Sequence, residues 1–273
     1  MTSGEEIRFR LDIHYDGSGF YGWQIQPERR TVQGVLQDAV ERVARVSRTV
    51  TGSGRTDRGV HATGQVASVE LPAKWTSETL ARALNAVLPE DVWIQAARRT
   101  HPGFHPRFDA VARSYEYRVG TEAEARSPFH RRYCWPVDDA LDRGLLDRAA
   151  ALIPGRRSFR AFAKSGQPER GTRCRVDRAV WEAWSGPGLR FTITADRYLH
   201  HMVRYLVGTM VDVARRRRAP TEIDGLLNDS DTDLWTSPPA PPQGLFLTRV
   251  EYGPVAGEGD AVGSRRTERA PES

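Results

Sequence analysis

The residues best suited to chemistry lie in Gly52-Ser-Gly-Arg-Thr-Asp-Arg-Gly-Val-His-Ala-Thr-Gly64, where four glycines surround a single carboxylate. Arg55 and Arg58 flank Asp57, and guanidinium charge favours the ionised carboxylate, the form that serves as a nucleophile or base. An ordinary turn carrying a surface aspartate has the same composition, so the loop alone leaves both readings open. It makes a poor phosphate cradle, because no Gly-Lys-Ser/Thr ending is present and no convincing helix follows. Its glycine spacing does not match a dinucleotide fingerprint either.

His61 follows Asp57 by four residues, and His105, His200 and His201 complete the clustered histidines. Adjacent His200 and His201, read as part of a helix, point in different directions. No His-Glu-x-x-His spacing exists, so no metal site is expected, and these imidazoles are expected to hydrogen-bond backbone or RNA. Cys134 and Cys174 have no close partner, which excludes a disulfide scaffold or a zinc finger and leaves small, inert thiols. Two further clusters mix bases with aromatics. Phe104-His-Pro-Arg-Phe108 precedes Arg113-Ser-Tyr-Glu-Tyr117, in which Tyr115 and Tyr117 share one strand face; the pattern suits either base stacking or a half-buried strand. In Arg197-Tyr-Leu-His-His-Met-Val-Arg-Tyr-Leu-Val-Gly208, inward packing of Leu199, Met202, Val203 and Leu206 sets Arg204 near the apolar side. There it either pairs with a carboxylate, for which Asp57 is the candidate, or reaches out to solvent.

The elements that must position these groups are legible from periodicity. Ile7 to Tyr15 alternates Phe9, Leu11, Ile13 and Tyr15 with Arg8, Arg10, Asp12 and His14, a strand with one wet face. Thr31 caps a helix with apolar residues at helical spacing from Val32 to Val43. Thr49 to Gly54 and Gln65 to Leu71 read as short extended segments, and Ser77 caps a helix through Leu88 that Pro89 stops. Val92 to Ala97 and Ala110 to Val119 read as strands, and Ala140 to Ile153 as a helix. Val176 to Trp184 and Leu189 to Ala195 form a hairpin, Tyr198 to Ala214 and Ile223 to Leu227 are helical, and Gly244 to Tyr252 closes as a strand. Pro238-Pro-Ala-Pro-Pro242 is a stiff connector. Strict strand-helix alternation is missing, so the fold class is α+β with two similar halves.

With 273 residues the chain can bury a large core without staples. No run approaches the ~18 uncharged residues of a membrane span, and the acidic start Met1-Thr-Ser-Gly-Glu-Glu6 does not resemble a signal peptide. The expectation is a soluble, cytoplasmic protein with no membrane partner. The formal net charge is +5, and with Lys74 and Lys164 the only lysines, 38 of the 40 basic residues are arginine. A polyanionic partner and a GC-rich genome explain that bias equally well.

Taken in order, Tyr15-Asp-Gly-Ser18, Gly22-Trp-Gln24, Gly54-Arg-Thr-Asp-Arg-Gly-Val-His-Ala62, Phe104-His-Pro-Arg-Phe108 and Tyr115 resemble the bacterial tRNA pseudouridine synthases of the TruA type. The likeness continues through Ser158-Phe-Arg-Ala-Phe162, His200-His-Met-Val-Arg204, Val207-Gly-Thr209 and Gly244-Leu-Phe-Leu247, covering all but the two ends. Arg58 stands where the family has a small residue, and Pro106 where it has Ala. The resemblance implies isomerisation of uridine to pseudouridine at positions 38, 39 and 40 in the anticodon stem-loop of tRNA, by a homodimer without cofactor or metal. It implies two ferredoxin-like or RRM-like halves whose mixed, mainly antiparallel sheets join into one, with helices on one side and an RNA-binding cleft on the other. Residues 7–120 form the half with the Asp loop and 121–253 the other half, with 1–6 and 254–273 disordered.

The resemblance also assigns roles. Asp57 is the nucleophile or base, which attacks the uracil ring at C6, attacks the sugar at C1′, or takes the 2′ proton toward a glycal. Arg204 is its counter-ion. Tyr115 stacks on the target base and assists loss of the C5 proton, Arg55 fills the space of the flipped base, and Leu245 lines the uracil pocket opposite Tyr115. Lys74, Phe104, His105, Arg107, Phe108, Arg170, Arg173, Arg175 and His201 are expected RNA contacts. Two rivals are a non-catalytic RNA binder, which has no use for a carboxylate beside phosphates, and a synthase acting on another RNA. A metal-dependent nuclease needs clustered carboxylates, and the loop offers one.

Overall fold

A computed structural model describes residues 5–164, 171–228 and 234–253. Arg170 and residues 1–4 and 254–273 lie outside the described residues; of the start 1–6, for which disorder is expected, Glu5 and Glu6 are described, and Glu6 opens the first strand. The first half runs β1 (Glu6–Tyr15), α1 (Val32–Ala44), β2 (Thr51–Gly52), β3 (His61–Pro72), α2 (Ser77–Asn85) and β4 (Val92–Arg99). The second runs β5 (Ala110–Gly120), β6 (Trp135–Pro136), α3 (Arg143–Ala151), β7 (Gly155–Ser158), β8 (Arg173–Ala183), β9 (Gly188–Ala195), α4 (Met202–Ala214), α5 (Thr221–Asn228) and β10 (Leu245–Tyr252).

Among the described residues the strands join one sheet in the order β4-β1-β3-β10-β5-β9-β8-β7, with β2 on β3 and β6 on β5. The first half has the succession strand, helix, strand, strand, helix, strand of a ferredoxin-like unit, and the second repeats it through β5, α3, β8, β9, α4 and β10, with β6, β7 and α5 added. β4-β1-β3-β2 repeats in the second half as β10-β5-β9-β8, so the fold is α+β with a doubled motif; β5 belongs to the second motif rather than to the expected half 7–120, because it pairs with β9 and β10. The seam is short and parallel, with Phe246 opposite His61 and Leu247 opposite Ala62; the other long pairings are antiparallel.

Local sequence accounts for the elements. Phe9, Leu11, Ile13 and Tyr15 of β1 are buried while Arg8, Arg10, Asp12 and His14 keep contact with solvent, the alternation of a sheet covered on one face. Val32, Leu36 and Val40 of α1 join Phe9, Leu11 and Ile13 in one hydrophobic cluster that runs into the second half through Tyr117, Phe191, Met202 and Leu206. Each fully buried side chain of that size contributes about 1.5–3 kcal/mol. The Thr31 side chain caps α1 by accepting from the Gly34 amide. The second cap is Thr76 rather than Ser77, because Thr76 and Thr79 form a reciprocal capping box. β3 begins at His61, ahead of the expected Gln65, since pairing with β10 extends it.

α4 starts at Met202 rather than Tyr198, and His201 ahead of it adopts a left-handed backbone with φ 65°. α4 is buried on nearly every side because the proline-rich connector crosses it; a Cβ on Gly208 would stand 2.2 Å from the Pro238 carbonyl oxygen.

Candidate active site

The loop between β2 and β3 is held by buried polar groups at both ends. The Ser53 hydroxyl donates to Gln65 Oε1 at 2.7 Å, and Gln65 Nε2 donates to the Gly54 carbonyl at 3.1 Å. The Tyr15 hydroxyl meets Thr56 Oγ1 at 2.8 Å, and burial pushes that phenol up to about 12. The Trp23 amide donates to the Thr56 carbonyl at 3.0 Å. Gly22, at φ 91°, lies so close behind the loop that a Cβ would come within 2.6 Å of the Thr56 carbonyl oxygen, so only glycine fits both the backbone and the space. Satisfied networks of this kind rigidify what they hold.

Asp57 stands at the centre, its side chain 22% exposed. Arg204 Nη1 lies 3.6 Å from Asp57 Oδ2, and Arg204 Nε donates to the Ala240 carbonyl at 2.7 Å. The connector thus fixes the guanidinium at one nitrogen and leaves another toward the carboxylate. His201 Nε2 is 3.3 Å from Oδ2, and His200 Nε2 is 3.3 Å from Oδ1. The expectation that these histidines diverge is corrected: they precede α4 rather than lie on it, and the left-handed turn at His201 brings both imidazoles onto Asp57. Burial lowers the His201 pKa below its ordinary 6.5; Asp57 opposes that shift, while Arg204, His200 and Lys164 add to it.

Asp57, His200 and His201 offer three ligand atoms within 4.8 Å of one another, the set among the described residues that could hold a metal ion. The permanent charge of Arg204 beside Oδ2 works against a cation there.

Tyr115 and Tyr117 share the face that carries the hydrophobic core, and both are buried. Tyr117 donates its hydroxyl to the Pro241 carbonyl at 2.7 Å. The Tyr115 ring meets Tyr198 edge-on with centroids 4.8 Å apart, and burial, with Tyr15 and Asp57 nearby, raises its phenol pKa. In the register, Leu247 stands opposite Tyr115 and Leu245 opposite Tyr117, so Leu245 lies one pair along on the same buried face.

Arg55 is exposed, with Nε donating to Gln24 Oε1 at 3.1 Å. The Arg58 guanidinium lies over the Tyr21 ring at 4.4 Å. Phe104 is 5% exposed and packs on Tyr252, so it serves as an internal strut rather than a surface for RNA. His105 braces its loop by accepting from the Arg107 and Phe108 amides, while Arg107 and Phe108 are exposed. Arg173 and Arg175 are exposed on β8, and the Arg175 amide donates to Asp196 Oδ1 beside the turn that leads to His200. Lys74 follows β3 at the end opposite the Asp57 loop and is not brought to the site.

Sequence reasoning missed Gln65, Tyr198 and Arg113. Half-buried, Arg113 donates to the carbonyls of Ser53, Arg107 and Asp196, tying the Asp57 loop, the His-Pro-Arg loop and the turn before α4 together. An arginine beside Tyr115 on an otherwise buried strand was the available signal.

A carboxylate flanked by one guanidinium, two imidazoles and a buried phenol gathers the kinds of group that nucleophilic attack and proton transfer require. The sequence family described as tRNA pseudouridine synthase matches residues 13–109 and 149–253. A tRNA pseudouridine synthase A from Moorella thermoacetica is 39% identical over 245 residues, covering 89% of this chain and 98% of that protein. One from Geobacillus kaustophilus is 38% identical over 246 residues, covering 90% and 94%. One from Geobacter sulfurreducens is 35% identical over 243 residues, covering 89% and 98%.

Proposed function

Because the chain belongs to the tRNA pseudouridine synthase family, and is therefore an isomerase acting on tRNA, we propose that it converts uridines of the anticodon stem-loop with Asp57 as the nucleophile. The observation that carries the reading is the Asp57 carboxylate, held on a rigid loop with Arg204 at 3.6 Å and an imidazole 3.3 Å from each oxygen. Arg204 acts as its electrostatic support. Tyr115 stacks on the extruded uracil, Arg55 enters the gap left in the RNA, and Leu245 contributes to the apolar wall of the pocket. Arg107, Phe108, Arg173 and Arg175 supply charge and stacking surface for RNA. The working unit is a homodimer in the cytoplasm.

The chemistry is redox-neutral. The N-glycosidic bond breaks, the uracil turns while held in the pocket, and C5 bonds to C1′. The C5 hydrogen then leaves as a proton and N1 gains one. Tritium release from tRNA transcripts carrying 5-tritiated uridine tests this, with wild type and Asp57→Ala side by side. Release by wild type alone is the expected result. Release by Asp57→Ala overturns the nucleophile, and retained binding without release from any tRNA moves the substrate to another RNA.

A further inference from the structure

We propose that His201 is the base that takes the C5 proton in the last step of pseudouridine formation; this rests on the function proposed above. Once C5 has bonded to C1′ it carries both that bond and its hydrogen, and the ring holds an N1=C6 double bond. The base removes the hydrogen as a proton. The C5–H electron pair becomes the C5=C6 double bond, and the N1=C6 pair moves to N1, which takes a proton from water. Nothing is oxidised or reduced. The step is written for attack at C1′ or the glycal route; after attack at C6 the same C5 proton is removed, but the new C5=C6 double bond forms as the C6–Asp57 bond breaks and the carboxylate leaves.

The groups around Asp57 narrow the choice. Arg204 and Lys164 are cations with no capacity to accept a proton. Tyr115 is a phenol whose ionisation is opposed by burial and by neighbouring Tyr15 and Asp57, so at neutral pH it has no phenolate to offer. Asp57 is a carboxylate, intrinsically a weaker base than an imidazole. His200 is half exposed, its side chain at 53%, on the Oδ1 side. His201 is 17% exposed and shares Oδ2 with Arg204.

His201 is also held in place at a cost. Its backbone has φ 65°, a conformation that L residues with a Cβ rarely adopt, and its imidazole makes no capping bond to α4. Strain retained without local benefit is a mark of functional sites. The turn points Nε2 at the carboxylate that engages the substrate, within 3.3 Å. Desolvation, reinforced by Arg204, His200 and Lys164 and opposed by Asp57, keeps the ring neutral at pH 7, the form that accepts a proton. The ring of Tyr205 packs at 6.3 Å. After transfer, the imidazolium lies beside a carboxylate that stabilises it.

The test is single-turnover conversion of tRNA transcripts carrying protium or deuterium at uridine C5, across pH. In wild type the two substrates convert at the same rate, and the rate falls at acid pH as His201 protonates. His201→Asn, which suits a left-handed backbone, is expected to lose about 10²-fold in rate, to show a deuterium isotope effect above unity, and to lose the acid limb. His201→Gly, free of strain at this φ, gives the same isotope effect if the Asn side chain disturbs folding. Tyr115→Phe and His200→Gln are expected to leave the isotope effect at unity. An effect that stays at unity in both His201 variants, or that appears in Tyr115→Phe or His200→Gln instead, overturns the proposal while wild-type conversion keeps the enzymatic reading intact. No conversion by wild type removes both.

Discussion

At Arg204 the fold uses an arginine as a support with a fixed geometry. Its Nε is committed to the Ala240 carbonyl, so the position of Nη1 beside Asp57 is set by the backbone of the proline-rich connector. Lysine has no such fork and cannot serve both partners at once. Arg204→Ala is expected to lower kcat by about 10²–10³-fold, the usual loss when a preorganised electrostatic contact is removed. The KM for tRNA should change little, and Arg204→Lys should recover only part of the rate. Steady-state kinetics on a tRNA transcript check this, and a wild-type kcat in Arg204→Ala would remove the pairing from the mechanism.

Among the elements, the joint between the two ferredoxin-like halves is the most constrained. β3 and β10 meet over a short parallel register, and Gly64 passes so close to β10 that a Cβ would stand 2.0 Å from the Thr248 carbonyl oxygen. That carbonyl belongs to backbone and cannot swing aside. Gly64→Ala must push the strands apart or break their pairing, and overpacking of this kind costs about 1–3 kcal/mol. A lowered Tm in calorimetry is the expected outcome, with reduced activity because the same seam sets β5, and with it Tyr115, relative to the Asp57 loop. An unchanged Tm would show that the seam has slack. The strands and helices themselves were largely legible. Alternation of Phe9, Leu11, Ile13 and Tyr15 predicts β1, and Thr31 with its apolar repeat predicts α1, because both signals are local. Starting α4 at Tyr198 misplaces it, because the left-handed turn at His201 has no glycine to announce it.

The whole molecule must manage a large arginine content next to its own acidic residues. Many arginines are spent internally: Arg215, Arg216, Arg217 and Arg218 all pair with nearby carboxylates despite forming a run of four. Charge density along the chain is therefore a poor guide to where RNA binds. Arg107 lies over the exposed Phe108 ring, and Arg55, on the Asp57 loop, makes a neutral hydrogen bond to Gln24. Affinity for tRNA should fall steeply with salt, and Arg55→Ala with Arg107→Ala should reduce the log–log slope by about 0.9 for each phosphate that is no longer neutralised. Affinities measured across a salt series check this, and a slope unchanged in the double variant would move the RNA path elsewhere.

Short-range information by itself determined much of this protein. Periodicity gave the α+β class and most element positions, while the ordered motifs around Asp57, Tyr115 and Arg204 identified the family, because turn chemistry and side-chain spacing are written locally. Only the tertiary structure decided which groups surround the carboxylate. His200, His201 and Arg204 reach Asp57 from the other half of the chain. Arg113 links loops far apart in sequence, and Phe104 turns into the core instead of toward RNA. Each of these depends on a strand register or a single left-handed residue, and a one-residue change in either turns a side chain from one face to the other.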